Sequence, residues 1–197
     1  MKSKYKLFII ISIAAILPSV AVADVMVTGS VFVSGTTAVP PVHFEPGMNY
    51  ATAHELGVLT WTPSNNGLMG TLDLEGSENS SIAMANVLDL NTSAESINGA
   101  TVYLNLSTTS FSAGTLYVTY SPMTTSEVQS GTFTSGQLVN YLNLDTTGSI
   151  HFTISNPTSS PYHMVLYIGF ELPPGDYAGQ GFTLYVQYTA TGSGGSS

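Results

Sequence analysis

Between residues 24 and 35 the chain reads DVMVTGSVFVSG, with Val25, Val27, Val31 and Val33 on alternate positions and Gly29 in the middle of the row. Side chains of a strand alternate with a period of two, so the four valines share one face and Met26, Thr28, Ser30 and Phe32 the other. The same period returns near the far end, in GFTLYVQYTA. There Phe182, Leu184, Val186 and Tyr188 face one way and Thr183, Tyr185, Gln187 and Thr189 the other, which predicts one face in a core and one in water. Runs rich in β-branched and aromatic residues predict further strands over residues 55–62, 68–75, 81–90, 100–107, 114–120, 150–155 and 163–171. SGQLVNYLNL, residues 135–144, fits either a strand or a short helix, because Leu138, Tyr141 and Leu142 have helical spacing. SNNG at 64–67, PPGD at 173–176 and NPTSSP at 156–161 carry turn chemistry, with Gly supplying positive φ and Pro fixing φ. Strands of this number and spacing predict an all-β fold, an antiparallel β-sandwich or jelly roll.

Residues 1–23 have the organisation of a secretory signal peptide. Lysines stand at 2, 4 and 6, an apolar run extends from Leu7 to Leu17, and Pro18 and the small-residue site Ala21-Val22-Ala23 follow. A run of eleven residues is short for a retained membrane anchor. The expected division is a signal peptide (1–23), an N-terminal strand and linker (24–39), a β-sandwich domain (40–191) and a flexible tail (192–197). The mature product is expected to be secreted, with no membrane segment.

Loss of the signal changes the charge. Lys2, Lys4 and Lys6 are the only basic residues, so their removal takes the net charge from −9 to −12, with histidine neutral. Nucleic acid is excluded as a partner, since phosphate binding needs clustered cations. No Lys–carboxylate or Arg–carboxylate salt bridge can form in the mature fold. Carboxylates that lack cations and repel one another are held, if anything, above their usual pKa range, so acid is expected not to unfold the protein. Cysteine is absent, so stability must come from core size, sheet pairing or assembly. Removing 23 of the 197 residues leaves 174, enough for one sizeable domain.

Fully burying four valines would contribute on the order of 6–12 kcal/mol as an upper bound. Nine residues also offer a ladder of roughly 30 Å, too much apolar edge to leave in water without inviting association. The following SGTTAVPP ends in Pro40-Pro41, which favours an extended conformation over a tight hairpin. The strand therefore either crosses its own sandwich by a longer route or fills a gap in another subunit.

The row Val25, Val27, Gly29, Val31 and Val33 resembles the N-terminal extensions of chaperone–usher pilins, which carry alternating apolar residues with a glycine among them. Its place behind a cleaved signal and ahead of an all-β domain with few charges resembles the archaeal thread and bundling-pilus subunits. The latter are similar in architecture to the bacterial biofilm-fibre protein TasA. Lack of cysteine departs from many chaperone–usher pilins, and lack of lysine from TasA-like chains. The resemblance implies a pilin-like sandwich with an N-terminal donor strand. Identical subunits would join head to tail by donor-strand complementation into an extracellular surface filament, with roles in adhesion or biofilm cohesion.

Three sequons, at Asn79, Asn91 and Asn105, mark candidate sites for N-linked glycans. DLEGSEN groups Asp73, Glu75 and Glu78 without EF-hand spacing and reads as a solvated turn. His43, His54, His151 and His163 are scattered without paired ligand spacing, so no metal is expected. No nucleophile elbow occurs and no cofactor motif is present, so no catalytic residues are assigned and the expectation is a non-enzyme; a secreted hydrolase is the weakest reading. The rival is a secreted monomeric carbohydrate-binding or adhesin domain, in which Trp61 and the tyrosines would line a sugar-binding face. In LYVTY and VLYIGF, however, aromatics interleave with aliphatics and are expected to pack in the core or at an intersubunit contact.

Overall fold

The computed structural model describes Pro40 and residues 42–75, 80–93, 100–154 and 163–190. These form ten strands and two short helices. The elements are β1 (Val42–Pro46), α1 (Tyr50–Glu55), β2 (Leu59–Ser64), β3 (Met69–Leu74), β4 (Ser80–Ser93), β5 (Ala100–Thr109), β6 (Thr115–Thr119), α2 (Thr125–Ser130), β7 (Leu138–Asn143), β8 (Gly148–Ile154), β9 (His163–Gly175) and β10 (Gly181–Ala190). The strands make two antiparallel five-stranded sheets. Sheet I has the order β1-β4-β9-β6-β7 and sheet II the order β2-β3-β10-β5-β8. The fold is an antiparallel β-sandwich.

Period-two alternation builds the core between the sheets. Leu88, Leu90, Leu116, Val118, Leu166, Ile168 and Phe170 point inward from sheet I, and Leu72, Val102, Leu104, Phe182, Leu184 and Val186 from sheet II. Phe170 and Phe182 meet edge to face across the layer, with centroids 5.7 Å apart and planes at 84°. At the β1/β2 side Phe44 packs edge-on against Trp61 at 5.6 Å, and α1 closes the gap through the Tyr50 hydroxyl, which accepts from the Trp61 N–H at 3.1 Å. At the other side, the connection from β7 to β8 plants Leu144 in the core.

The candidate strand over 55–62 begins later than expected, because α1 runs to Glu55 and β2 starts at Leu59. Within residues 135–144 the stretch Leu138–Asn143 is β7; pairing with β6 overrides its helical spacing. β1 is a strand that the apolar pattern does not reveal. It is a five-residue edge strand ending in Pro46, where a missing N–H is tolerated. PPGD is not a simple turn: β9 continues through Pro173 and Pro174 to Gly175, which pairs with Ser80, and the chain turns at residues 178–179. SNNG does turn, with Asn65, Asn66 and Gly67 all at positive φ. NPTSSP and the tail lie outside the described residues.

Candidate functional site

Val25, Val27, Gly29, Val31, Val33 and Asn79 lie outside the described residues. The structure does not bring Asn91 and Asn105 together; they lie on different sheets.

Asn91 belongs to a polar cluster on the outer face of sheet I, where β1 meets β4. Its Nδ2 donates to Glu45 Oε2 at 3.2 Å, and its cross-strand partner His43 places Nε2 2.9 Å from Glu45 Oε1 and Nδ1 2.7 Å from the Pro40 carbonyl. A carbonyl can only accept, so Nδ1 carries a proton. Among the described residues this is the one ion-pair geometry. Asp89 stands directly opposite Glu45. Burial, and then the Glu45 charge, push its carboxyl from 3.8 up to about 6. Asp89 Oδ1 and Asn91 Oδ1 are buried without a hydrogen-bond partner.

Asn105 lies on β5, flanked by β10 and the edge strand β8 of sheet II, and is only 8% exposed. Its Nδ2, the atom a glycan would occupy, donates to the Tyr103 carbonyl at 3.3 Å and the Tyr185 carbonyl at 3.4 Å. Attachment there would replace one of the two N–H hydrogens and so remove at least one of these bonds.

Two surfaces follow from the arrangement of strands. The first is the outer edge of β7, which pairs with β6 alone among the described strands. It carries Leu138 and Tyr141, 36% and 53% exposed. The other edge strands of the sandwich present Glu45 on β1, Thr62 and Ser64 on β2, and Ser149, His151 and Thr153 on β8. β7 lies at the opposite end of sheet I from β1, four strand intervals or about 19 Å away.

The second is the outer face of sheet II. The positions between its core residues present Thr71, Thr101, Tyr103, Ser149, His151, Thr183, Tyr185 and Gln187. Asp73 is the one carboxylate among the outward positions of its described strands.

A cleft of about 350 Å³ opens beside α2, where Gln129, Thr115 and Ser81 surround Glu171 above Ile82 and Leu172. Tyr117 Oη donates to Glu171 Oε1 at 3.1 Å. Burial, and then the Glu171 charge, push that phenol above its ordinary range. Among the described residues no group of three or more His, Asp or Glu side chains is placed to hold a metal. Nor is any helix there long and apolar enough to cross a membrane.

Trp61, a candidate for a sugar-binding face, is 5% exposed and belongs to the core. Tyr117 packs beneath α2 with Ala85, Met123 and Val128, as its interleaving with aliphatics implies. Alternation in GFTLYVQYTA did indicate that Tyr185 faces outward. That Tyr103 and His151 stand on the same face of the same sheet depends on pairing between strands distant in sequence.

No protein-family profile matches the chain, and no curated protein matches it. Among solved structures it is similar to one described as "CBM4 structure and function", with a TM-score of 0.32 and 12% identity over 81% of this chain and 93% of that chain.

Proposed function

We propose that this chain is the structural subunit of an extracellular surface filament, secreted after removal of residues 1–23 and joined head to tail by strand addition between identical copies. The observation that carries the reading is the open edge of β7. Among the described strands its outer side has no partner strand, the Tyr141 N–H there donates only to Asn140 Oδ1 of its own strand at 2.9 Å, and it carries two exposed apolar side chains, at the end of sheet I opposite the strand into which the N-terminal segment leads. Such an edge templates the pairing of another strand. A contact that joins the leading segment of one copy to the far edge of the next is heterologous, so it propagates instead of closing. The alternating valines at 25, 27, 31 and 33 supply a strand of suitable pattern. Few charges and no lysine or arginine after residue 6 leave little to oppose close packing of subunits except carboxylate repulsion, which falls as carboxylates protonate.

The test is assembly of the mature chain followed by electron microscopy and light scattering, with two variants beside it. Val27→Asp with Val31→Asp places charge in the added strand, and Leu138→Asp with Tyr141→Asp places charge at the receiving edge. Both pairs should leave a folded monomer that forms no fibres. Fibre formation unchanged in either variant, or a mature chain that stays monomeric at all concentrations, would contradict the proposal.

A further inference from the structure

We propose that the outer face of sheet II binds a neutral polysaccharide, docked across Tyr185, Tyr103 and His151. The face lies on the sheet that does not carry β7, so the inference goes beyond the filament reading and stands apart from it.

Register creates the platform. Tyr103 of β5 pairs with His151 of β8, and their rings lie 5.9 Å apart at 38°. Tyr185 of β10 pairs with Asn105, two residues beyond Tyr103. The two tyrosines are therefore diagonal neighbours, about 7–8 Å apart along the backbone. Three rings from three adjacent strands thus make an oblique row from the central strand β10 to the edge strand β8. Asn105 lies between the tyrosines, buried, with its amide tied to both of their carbonyls. That bond pair fixes the backbone beneath the rings.

The chemistry around the row selects the ligand. A sugar ring offers an apolar C–H face for stacking and hydroxyls at its rim. Tyrosine rings supply the matching flat apolar surface with a polar tip. The rim donors and acceptors are at hand: Gln187 opposite Tyr103, Ser149 opposite Asn105, and a hydroxyl pair in which Thr71 and Thr183 oxygens are 2.9 Å apart. With Asp73 the outward carboxylate of these strands and no lysine or arginine after residue 6, an acidic glycan would meet repulsion and find no cation to pair with. A second copy of the chain is the other occupant such a face could take. Contacts between identical subunits are more apolar than the general surface, whereas this face surrounds its rings with threonine, serine and glutamine. The neutral glycan is the better match.

The experiment is affinity electrophoresis of the mature chain in gels containing barley β-glucan, galactomannan or neutral xylan, with co-sedimentation on cellulose. Retardation is expected with at least one of them. Tyr103→Ala and Tyr185→Ala should each weaken it about tenfold, the effect of losing one stacked ring. Tyr103→Phe should retain most of the affinity. Thermal melting checks that each variant folds. The filament assay separates the two readings: the tyrosine variants should still form fibres, and Leu138→Asp with Tyr141→Asp should still be retarded. The proposal fails if the mature chain is retarded by none of the three soluble polysaccharides and does not co-sediment with cellulose, or if a folded Tyr103→Ala, Tyr185→Ala double variant binds as before. It also fails if that variant loses side-by-side association of fibres while keeping its retardation, which would assign the face to a second copy.

Discussion

Asn86 and Met123 are joined by one amide used twice: Asn86 Nδ2 donates to the Met123 carbonyl at 2.7 Å, and Asn86 Oδ1 accepts from the Met123 N–H at 2.8 Å. Asn86 is 2% exposed and has φ of 52°, where β4 slips register between Met84 and Leu88. Asparagine tolerates that left-handed backbone better than most residues. Asn86→Ala would strand both backbone groups of Met123 and add backbone strain. The expected loss is about 2–5 kcal/mol, read from urea unfolding. A loss under about 1 kcal/mol, the net worth of one ordinary hydrogen bond, would mean that water replaces both bonds.

Asp89 gives the fold a pH dependence of defined sign. Its carboxyl is raised from 3.8 to about 6, by burial first and by Glu45 second. A raised value means that the folded state favours the proton. The contribution is therefore fully present below about 3.8 and is lost as pH rises through about 6. Half-exposure screens the effect to about 1 kcal/mol. Melting temperature should rise on acidification from pH 7 to 4, and Asp89→Asn should raise stability at pH 7 and flatten the slope. A slope unchanged in Asp89→Asn would assign it elsewhere.

Gly70 is where the indole of Trp61 fits. A Cβ there would lie 2.3 Å from Trp61 Cζ2 and 2.4 Å from Cη2, while the same ring packs against Phe44. Gly70→Ala should cost about 1–3 kcal/mol through overpacking. Combining it with Trp61→Phe should cost less than the sum of the single changes, and a double-mutant cycle measures that coupling. Additive effects would show that the indole moves aside freely.

The start of α2 is held by a reciprocal cap. Thr124 Oγ1 accepts from the Glu127 N–H at 3.2 Å, and Glu127 Oε2 accepts from the Thr124 N–H at 2.7 Å. Hydrogen bonds from the Thr124 N–H and then its hydroxyl hold the Glu127 carboxyl below the usual range. Its contribution is thus lost as pH falls through that lowered value, opposite in sign to Asp89. Thr124→Ala should cost about 1 kcal/mol and Thr124→Ser much less. Faster amide exchange confined to residues 125–130 is the expected signature; unchanged exchange there would rule out the cap as the element's anchor.

Alternation made most strands legible: β10 buries Phe182, Leu184 and Val186 and turns Thr183, Tyr185 and Gln187 outward, as its sequence alone predicts. The TTSE box at Thr124–Glu127, followed by Gly131 in the left-handed region, was a readable helix signal hidden among strand-like neighbours. β1 was not legible, because an edge strand ending in proline lacks the apolar run of a central one. The fit of Gly70 to Trp61 was equally invisible, since two residues nine apart in sequence become partners only through the β2–β3 hairpin.

By itself, then, the sequence determined the all-β class, the inward face of most strands and the absence of any lysine or arginine beyond residue 6. These are local or compositional properties. Only the tertiary structure decided that β7 is an edge strand among the described residues and that Tyr103, His151 and Tyr185 share one face. A period of two tells which side of a strand is apolar but not which strand lies beside it. That choice is made by pairing and packing between residues far apart in the chain.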